Sequence, residues 1–148
     1  MEEMKFPVVF LDIDGVLNRK GEKEWLDAGC INYLGTLCCE TGAKVVLVTT
    51  WKRGFNPEFN ACSDRIKRLR RECSKAAIEI IDRTKDWFFN RGRGILKYLK
   101  EHPVDKWVIL DDKLYGDYVG ILADRLIITS PHEGLTWDNI TEAKKILM

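Results

Sequence analysis

The sequence lacks the features that define several large classes of protein. No apolar run approaches the roughly 18–20 residues of a membrane-spanning helix, so we expect no membrane partner. The acidic amino terminus carries neither the basic nor the apolar part of a signal peptide. Five cysteines are an odd number, and Cys38 and Cys39 are neighbours, which argues against a disulfide scaffold. No Cys-x-x-Cys pair or Cys/His cluster indicates zinc, and we expect a reduced, cytoplasmic protein.

The sequence also lacks an excess of one charge, because its 24 Lys and Arg residues nearly balance its 23 Asp and Glu residues. A hydrophobic share of 45% and a charged share of 32% are typical of globular proteins and argue against disorder. The 148 residues contain no internal repeat or linker, and they predict a single domain over residues 1–148. A Gly-x4-Gly-Lys-Ser/Thr loop is absent as well, so a coupled kinase or ligase activity would lie on a separate chain.

Five short apolar runs, rich in β-branched or aromatic residues, predict strands at 6–11, 44–48, 77–81, 107–110 and 125–128. Four of them are almost continuously apolar, which is typical of strands covered on both faces in a parallel sheet. Helical patterns separate them, at 30–38 before Gly42, at 64–73 behind Ser63 as N-cap, at 95–99 and, more weakly, at 141–147. The alternation predicts an α/β fold: a Rossmann-like, doubly wound, mainly parallel sheet of about five strands.

Polar side chains follow three predicted strands that we expect to be neighbours in the sheet. They are Asp12 and Asp14 after the first strand, Thr49 and Thr50 after the second, and Asp111 and Asp112 after the fourth. Any single one of these aspartates is typical of a turn or a helix cap. Two facing pairs of carboxylates repel one another unless a cation joins them, and oxygen ligands favour Mg²⁺. An aspartate can also form an aspartyl-phosphate, and a second carboxyl group can protonate the leaving oxygen and later activate water.

The Asp-x-Asp-Gly run that starts at Asp12 resembles the first motif of the haloacid dehalogenase (HAD) superfamily. The second motif resembles the apolar strand that ends in Thr49, the third the basic residue Arg91 at a helix start, and the fourth the strand that ends in Asp111 and Asp112. A closer resemblance is to the HAD domain of Swiss Army Knife RNA repair proteins. It rests on Thr-Thr-Trp-Lys at 49–52, an Arg-led segment at 91–95 and Gly-Leu-Thr at 134–136, with Lys at 52 and Gly at 94 replacing the usual Arg and Glu.

This resemblance implies a HAD-type phosphatase with four catalytic residues. Asp12 is the expected nucleophile, Asp14 the general acid and base, Thr49 a hydrogen-bond donor to the phosphoryl group, and Arg91 the cation that offsets charge in the transition state. For Thr49 alone, a strand-end cap is an equally good interpretation. Three other basic residues are alternatives to Arg91, namely Arg93, Lys85 and Lys97.

The resemblance also implies Mg²⁺, held by Asp12, by Asp14 through its backbone carbonyl, and by Asp111, with Asp112 as a ligand or a holder of water. The expected substrate-binding residues are Gly15, Thr50, Lys52 and Arg53. A rival chemistry uses Cys62 and Arg68, which have the Cys-x5-Arg spacing of cysteine-dependent phosphatases. The residues between them include no glycine, so this segment is a poor phosphate cradle.

The expected substrate is a phosphorylated molecule, with RNA or DNA ends favoured. Members of the superfamily select substrates largely through cap insertions, which follow the first or the third strand. Here the segments 18–29 and 82–90 leave room for little or no cap. In the superfamily, a site without a cap is open and usually admits a large substrate. Residues 52–75 carry eight basic and three acidic side chains, which suits a polyanion, although basic helix faces are often only solvated. Five aromatic residues are candidates for stacking on a base: Trp51, Phe55, Trp87, Phe88 and Phe89. The alternatives are a small-molecule or phosphoprotein phosphatase of the same fold and, less favoured, a non-catalytic binding module.

Overall fold

A computed structural model of the chain describes residues 4–22, 25–85 and 90–148. Its strands are β1 (Val8–Leu11), β2 (Lys44–Leu47), β3 (Ile80–Arg83), β4 (Trp107–Asp111) and β5 (Leu126–Ile128). They form one sheet in the order β3-β2-β1-β4-β5, and every neighbouring pair is parallel. The predicted α/β fold with a Rossmann-like parallel sheet is therefore confirmed.

Helices cover both faces of this sheet. They are α1 (Ala28–Thr41), α2 (Asp64–Lys75), α3 (Arg91–Glu101), α4 (Ile121–Asp124) and α5 (Trp137–Leu147), together with two short 3-10 helices, Thr50–Gly54 and Phe59–Ala61. Buried side chains of α1, α2 and α5 share one apolar cluster, and those of α3 and α4 share the other. Among the described residues, no helix combines the length and the apolarity that a membrane crossing requires.

Strand β1 shows why the central strands are apolar throughout. Val9 and Leu11 pack in the cluster that includes α1 and α5, whereas Val8 and Phe10 pack in the cluster that includes α3. All four side chains are fully buried. Because successive side chains of a strand point to opposite faces, a strand covered on both sides has no polar position.

Local hydrogen bonds fix the ends of the helices. The Asp27 side chain accepts from the Cys30 backbone N–H, and the predicted N-cap Ser63 accepts from the Ile66 N–H. Gly42 follows α1 in the left-handed region, with φ of 76°, and donates its N–H to the Cys38 carbonyl. The predicted stop at Gly42 is thus confirmed.

Several predicted boundaries are shifted, among them the starts of β1 at Val8 and of α3 at Arg91, and two of the shifts have a clear local cause. Strand β3 begins at Ile80 rather than at residue 77, because Ala77 has φ of 61° and the Ile78 N–H still bonds to the Cys73 carbonyl of α2. Helix α5 begins at Trp137 rather than at residue 141. Thr136 starts it earlier by forming a reciprocal capping box with Asn139.

Candidate active site

The carboxyl ends of β2, β1 and β4 meet at one edge of the sheet because these strands are parallel neighbours. Asp12 directly follows β1, and its N–H still bonds to the Leu110 carbonyl of β4 at 2.9 Å. Asp111 is the last residue of β4, and Thr49 lies two residues beyond β2. The expected convergence of these polar residues is therefore a consequence of strand order.

Three carboxylates form a cluster at this edge. Each of Asp12, Asp111 and Asp112 offers an oxygen, and these oxygens lie within 4.8 Å of one another. Burial raises the pKa of Asp12 well above its usual value, and the charges of Asp111 and Asp112 raise it further against the opposing charge of Arg91. Burial and Asp111 also raise the pKa of Asp112. One guanidinium faces three carboxylates, and this donor set fits a hard divalent cation such as Mg²⁺.

Arg91, the first residue of α3, lies between two of these carboxylates. Its Nη1 atom is 3.2 Å from Asp12 Oδ1 and 2.8 Å from Asp111 Oδ2. Its guanidinium also lies 4.5 Å from the centre of the Tyr115 ring. Burial opposes the charged form, but Asp12 and Asp111 outweigh it and raise the pKa of Arg91. Arg91 therefore stays charged and holds both carboxylates in place.

The other basic candidates for the Arg91 position lie elsewhere. The Arg93 side chain is exposed, and its backbone N–H bonds to Asp117 Oδ2 at 2.9 Å. Lys85 and Lys97 line a separate cavity of about 230 Å³ between β3 and α3. Of the four candidates, the geometry brings Arg91 to the carboxylates.

The Asp14 carboxylate is held by two donors and lies outside the cluster of three. Asn18 Nδ2 donates to Asp14 Oδ1 at 3.0 Å, and the Trp51 indole Nε1 donates to Oδ2 at 3.2 Å. The prediction that its backbone carbonyl holds a metal stays a prediction. Asn18 and Trp51 both lie within the recognised sequence motifs, yet their spacing alone does not reveal that they contact Asp14.

No residue with a side chain fits in place of Gly15. Its φ is 82°, its N–H donates to Asn18 Oδ1 at 2.9 Å, and its carbonyl accepts from Thr129 Oγ1 at 2.7 Å. A Cβ atom at this position would lie 2.4 Å from Asp112 Oδ2. The glycine therefore makes room for the carboxylate cluster.

Thr49 and its neighbours form the wall that follows β2. Thr49 is buried and caps the 3-10 helix Thr50–Gly54, because its Oγ1 atom accepts from the Trp51 N–H at 3.3 Å. This bond uses the oxygen as acceptor, so the hydroxyl proton can still be donated to a ligand. Thr50 and Arg53 have exposed side chains at the same turn.

Lys52 is the buried cation of this turn. Its Nζ atom donates to Thr84 Oγ1 at 3.0 Å, just beyond the end of β3. Burial, together with the charges of Arg91 and Arg83, lowers the pKa of Lys52 to about 8. The side chain therefore carries a proton at neutral pH and loses it in mildly alkaline solution.

Two further side chains, those of Tyr118 and Thr129, support the site and lie outside the sequence motifs. The Tyr118 hydroxyl donates to Asp111 Oδ2 at 3.0 Å from the loop after β4. Burial, followed by the charge of Asp111, raises the pKa of Tyr118, so the phenol stays a donor. Thr129, which anchors Gly15, directly follows β5. A hydroxyl residue directly after a strand is the signal that could have indicated Thr129.

The rival site at Cys62 has a structural role instead. Cys62 is buried in the apolar core, and its sulfur accepts from the Asn56 N–H and from Arg70 Nη1, both at 3.4 Å. Ser63 caps α2, so the residues from 64 to Arg68 are helical rather than a loop around a phosphate. The Cys-x5-Arg spacing is thus an accident of the sequence.

The aromatic residues expected to stack on a base need a partial correction. Trp51 and Phe55 are only 2% and 6% exposed, so their rings serve the core and not a base. The remaining candidates, Trp87, Phe88 and Phe89, lie outside the described residues.

Comparison with known families finds one match, described as the HAD domain in Swiss Army Knife RNA repair proteins, over residues 8–140. Comparisons with curated proteins and with solved structures give no match. The matched span begins with β1, ends within α5 and includes the carboxylate cluster and Arg91. The chain therefore belongs to the family of HAD domains found in Swiss Army Knife RNA repair proteins.

Proposed function

We propose that the chain is a Mg²⁺-dependent phosphomonoesterase that acts on the phosphorylated end of a nucleic acid through an aspartyl-phosphate on Asp12. Membership of the family supports a HAD-type phosphatase in general. The observation that carries the proposal is the cluster of Asp12, Asp111 and Asp112, whose oxygens lie within 4.8 Å while Arg91 joins two of the three side chains.

The residues that would hold the metal are Asp12, Asp111 and Asp112, together with the backbone carbonyl of Asp14. Bound Mg²⁺ would neutralise the carboxylates and the substrate phosphate, so that two anions can approach each other. Burial and the neighbouring charges of Asp111 and Asp112 raise the pKa of Asp12, and a divalent cation at these oxygens would favour its charged form.

In the first step of the proposed reaction, a carboxylate oxygen of Asp12 attacks phosphorus and the bond to the leaving oxygen breaks. Asp14 acts as the general acid and gives a proton to the leaving oxygen. The Thr49 hydroxyl donates to a phosphoryl oxygen, and Arg91 keeps the attacking carboxylate in position.

In the second step, Asp14 takes a proton from water as the water oxygen attacks phosphorus. The bond between phosphorus and Asp12 breaks, which frees the nucleophile and releases inorganic phosphate. Asn18 and Trp51 hold both oxygens of Asp14 throughout, so the carboxyl group stays aimed at the same position.

Three observations support a nucleic-acid end as substrate. The family description names RNA repair proteins. Among the described residues between β1 and α1, no additional helix or strand covers the site. The basic helix α2 lies beside it, because Arg65 packs 4.2 Å from the centre of the Trp51 ring and the same indole donates to Asp14.

A substrate panel tests this proposal. Oligonucleotides with a 3′-phosphate or a 5′-phosphate, a phosphopeptide and a small sugar phosphate are each incubated with the chain in Mg²⁺ or in EDTA, at two salt concentrations. We expect Mg²⁺-dependent, salt-sensitive release of phosphate from one type of oligonucleotide end. Asp12→Asn should abolish it, and Cys62→Ala should retain it.

Other outcomes of the panel would support the alternatives. Preference for the phosphopeptide or the sugar phosphate would indicate a phosphatase of the same fold with another substrate. Activity that survives Asp12→Asn would contradict the mechanism, and absence of Mg²⁺-dependent activity on every substrate would favour a binding module. A kinase or ligase on a separate chain stays a prediction.

A further inference from the structure

A second cavity, of about 530 Å³, lies beside β3 and the carboxyl-terminal half of α2. Its wall includes Phe59, Arg70, Arg71, Ser74, Ile78 and Ile80. None of the predicted site residues lines it. Because β3 is the outermost strand on its side of the sheet, the cavity lies at an open edge of the molecule.

The cavity carries positive charge beside an aromatic ring. The guanidinium groups of Arg70 and Arg71 lie 5.6 and 5.8 Å from the centre of the Phe59 ring. The acidic lining residue, Glu79, forms an ion pair with Lys44. Within residues 4–22, 25–85 and 90–148, no carboxylate pairs with Arg70 or Arg71, so the cavity keeps its cationic character.

Arg70 is held in place before any ligand arrives. Its Nη1 atom donates to the Asn56 carbonyl at 3.0 Å and to the Cys62 sulfur at 3.4 Å. Arg71, one residue further along α2, is exposed. A fixed guanidinium loses little conformational entropy when it binds an anion, and an exposed one needs little desolvation.

This combination fits a nucleotide unit better than a bare anion. Two guanidinium groups suit a phosphodiester, whereas the half-buried ring of Phe59 offers a surface for a base. Proteins that bind single-stranded nucleic acid combine these two elements, a cationic path for the backbone and aromatic surfaces for bases.

Strand β3 connects the cavity with the candidate active site. Ile80 lines the cavity at the start of the strand, and Thr84, just beyond its end, accepts from Lys52 in the active site. Asp12 follows β1, two strands away from β3 and level with Thr84, so a rise of about 3.3 Å per residue and a strand spacing of about 4.8 Å place it roughly 16 Å from Ile80. A short single strand can span that separation.

We propose that this cavity binds one nucleotide unit of the strand whose phosphorylated end lies at Asp12. The phosphodiester contacts Arg70 and Arg71, and the base lies against Phe59. The proposal rests on the proposed function. It adds a binding site for a nucleotide that lies away from the reacting phosphate.

The test compares Arg71→Ala with the control Lys145→Ala, which removes an exposed positive charge on α5, a helix that packs near β4 and β5 rather than β3. Oligonucleotides of increasing length, from a mononucleotide to an octamer, carry the phosphate at the end that the native chain hydrolyses. For the native chain and the control, KM falls as the oligonucleotide lengthens. For Arg71→Ala we expect KM of the octamer to rise about tenfold, with turnover of p-nitrophenyl phosphate unchanged.

A binding measurement separates this proposal from the proposed function. An unphosphorylated, fluorescently labelled RNA octamer is titrated in EDTA, where no turnover occurs, and its anisotropy is followed at several salt concentrations. Arg71→Ala should weaken binding and reduce the slope of log affinity against log salt by about 0.7. Phe59→Leu should weaken binding severalfold with an unchanged slope, because it removes stacking and no charge.

Equal octamer binding by the native chain, Arg71→Ala and Phe59→Leu would overturn the cavity proposal, even if oligonucleotides are hydrolysed. An equal loss in Lys145→Ala would also overturn it, since it would show an effect of overall charge. Weakened binding in both cavity variants supports it, even if no phosphate is released and the proposed function fails.

Discussion

At the scale of single residues, Asp14 illustrates how the site controls the direction of a side chain. Both of its carboxylate oxygens accept hydrogen bonds, from Asn18 at 3.0 Å and from the Trp51 indole at 3.2 Å. Trp51 is itself buried, so the indole N–H has a fixed position. A general acid that is held in this way transfers its proton in one geometry only.

Trp51→Phe keeps an aromatic ring and removes the indole donor. We expect its kcat to fall about tenfold for a phosphorylated oligonucleotide, whose alkoxide leaving group needs a proton. With p-nitrophenyl phosphate, whose leaving group is weakly basic, the fall should be less than about twofold. Trp137→Phe, at an exposed position, is the control. An equal loss on both substrates would show that Trp51 serves the fold and not Asp14.

Lys52 gives the site a pH dependence of its own. Its pKa of about 8 means that the ammonium group is charged below that pH and neutral above it. In the proposed function a charged Lys52 attracts the substrate phosphate, and we therefore expect kcat/KM to decline as the pH rises through about 8. Lys52→Arg keeps its charge over this range, so its kcat/KM should stay level to a higher pH.

The control for this prediction is Lys100→Arg, at an exposed position of α3. It should retain the native pH profile. If kcat/KM of Lys52→Arg still declined above pH of about 8, another group would cause the decline, and Lys52 would not contribute to substrate binding.

At the scale of elements, helix α3 positions Arg91 through a close contact behind its first turn. Gly92 packs so tightly that a Cβ atom would lie 2.5 Å from the Asp117 carbonyl and 2.9 Å from Leu122 Cδ1. The segment that contains Asp117 also carries Tyr115 and Tyr118 against the site. The helix start and this loop therefore fix each other.

Gly92→Ala should push the start of α3 away from the sheet. We expect a loss of about 1–3 kcal/mol in the free energy of unfolding and a fall of at least about tenfold in kcat, because Arg91 moves with the helix. Chemical denaturation and steady-state kinetics measure the two effects. Gly116→Ala, where no atom lies within 4 Å of the new Cβ, should change neither, and an unaffected Gly92→Ala would contradict the account.

The elements were largely predictable because apolar patterns reflect burial. Apolar runs overlap all five strands, and the agreement is closest for the central strands β1, β2 and β4, whose side chains are buried almost throughout. Two of the errors arose where one local hydrogen bond decides the boundary. The turn at Ala77 delays β3, and the capping box of Thr136 and Asn139 advances the start of α5.

The site was predictable to the extent that it follows from strand ends. Asp12, Thr49 and Asp111 converge because their strands are neighbours, and the order of strands follows from the fold. The contact of Tyr118 depends on the path of the loop after β4, and that of Trp51 on a 3-10 helix of five residues, and neither segment is long enough to show a periodic pattern. The sequence therefore predicted which residues converge at the sheet edge and left their supporting contacts open.

At the scale of the whole molecule, the proposed metal site forms only when the chain folds. Asp12 follows β1 whereas Asp111 and Asp112 follow β4, so only the folded sheet brings the three carboxylates together. The unfolded chain offers no such cluster, and a ligand that binds the folded state alone stabilises it.

We therefore expect Mg²⁺ to raise the thermal unfolding midpoint of the native chain, in one cooperative transition as for a single domain. At a hundredfold excess over Kd the gain is about 2.7 kcal/mol, which corresponds to several degrees for a domain of this size. Asp111→Asn should abolish most of the shift, and Asp138→Asn on α5 should retain it. A shift of equal size in Asp111→Asn would place the metal elsewhere.

The central claim is that Asp12 forms a covalent bond to the phosphoryl group, and acid quenching followed by peptide mass spectrometry tests it most directly. The Asp14→Asn variant is mixed with Mg²⁺ and p-nitrophenyl phosphate, whose leaving group departs without a proton, so that loss of Asp14 slows release of the intermediate more than its formation. The account predicts a mass increase of one phosphoryl group on the peptide that contains Asp12. Release of phosphate with no increase on that peptide at any quench time, or an increase on another residue, would contradict it.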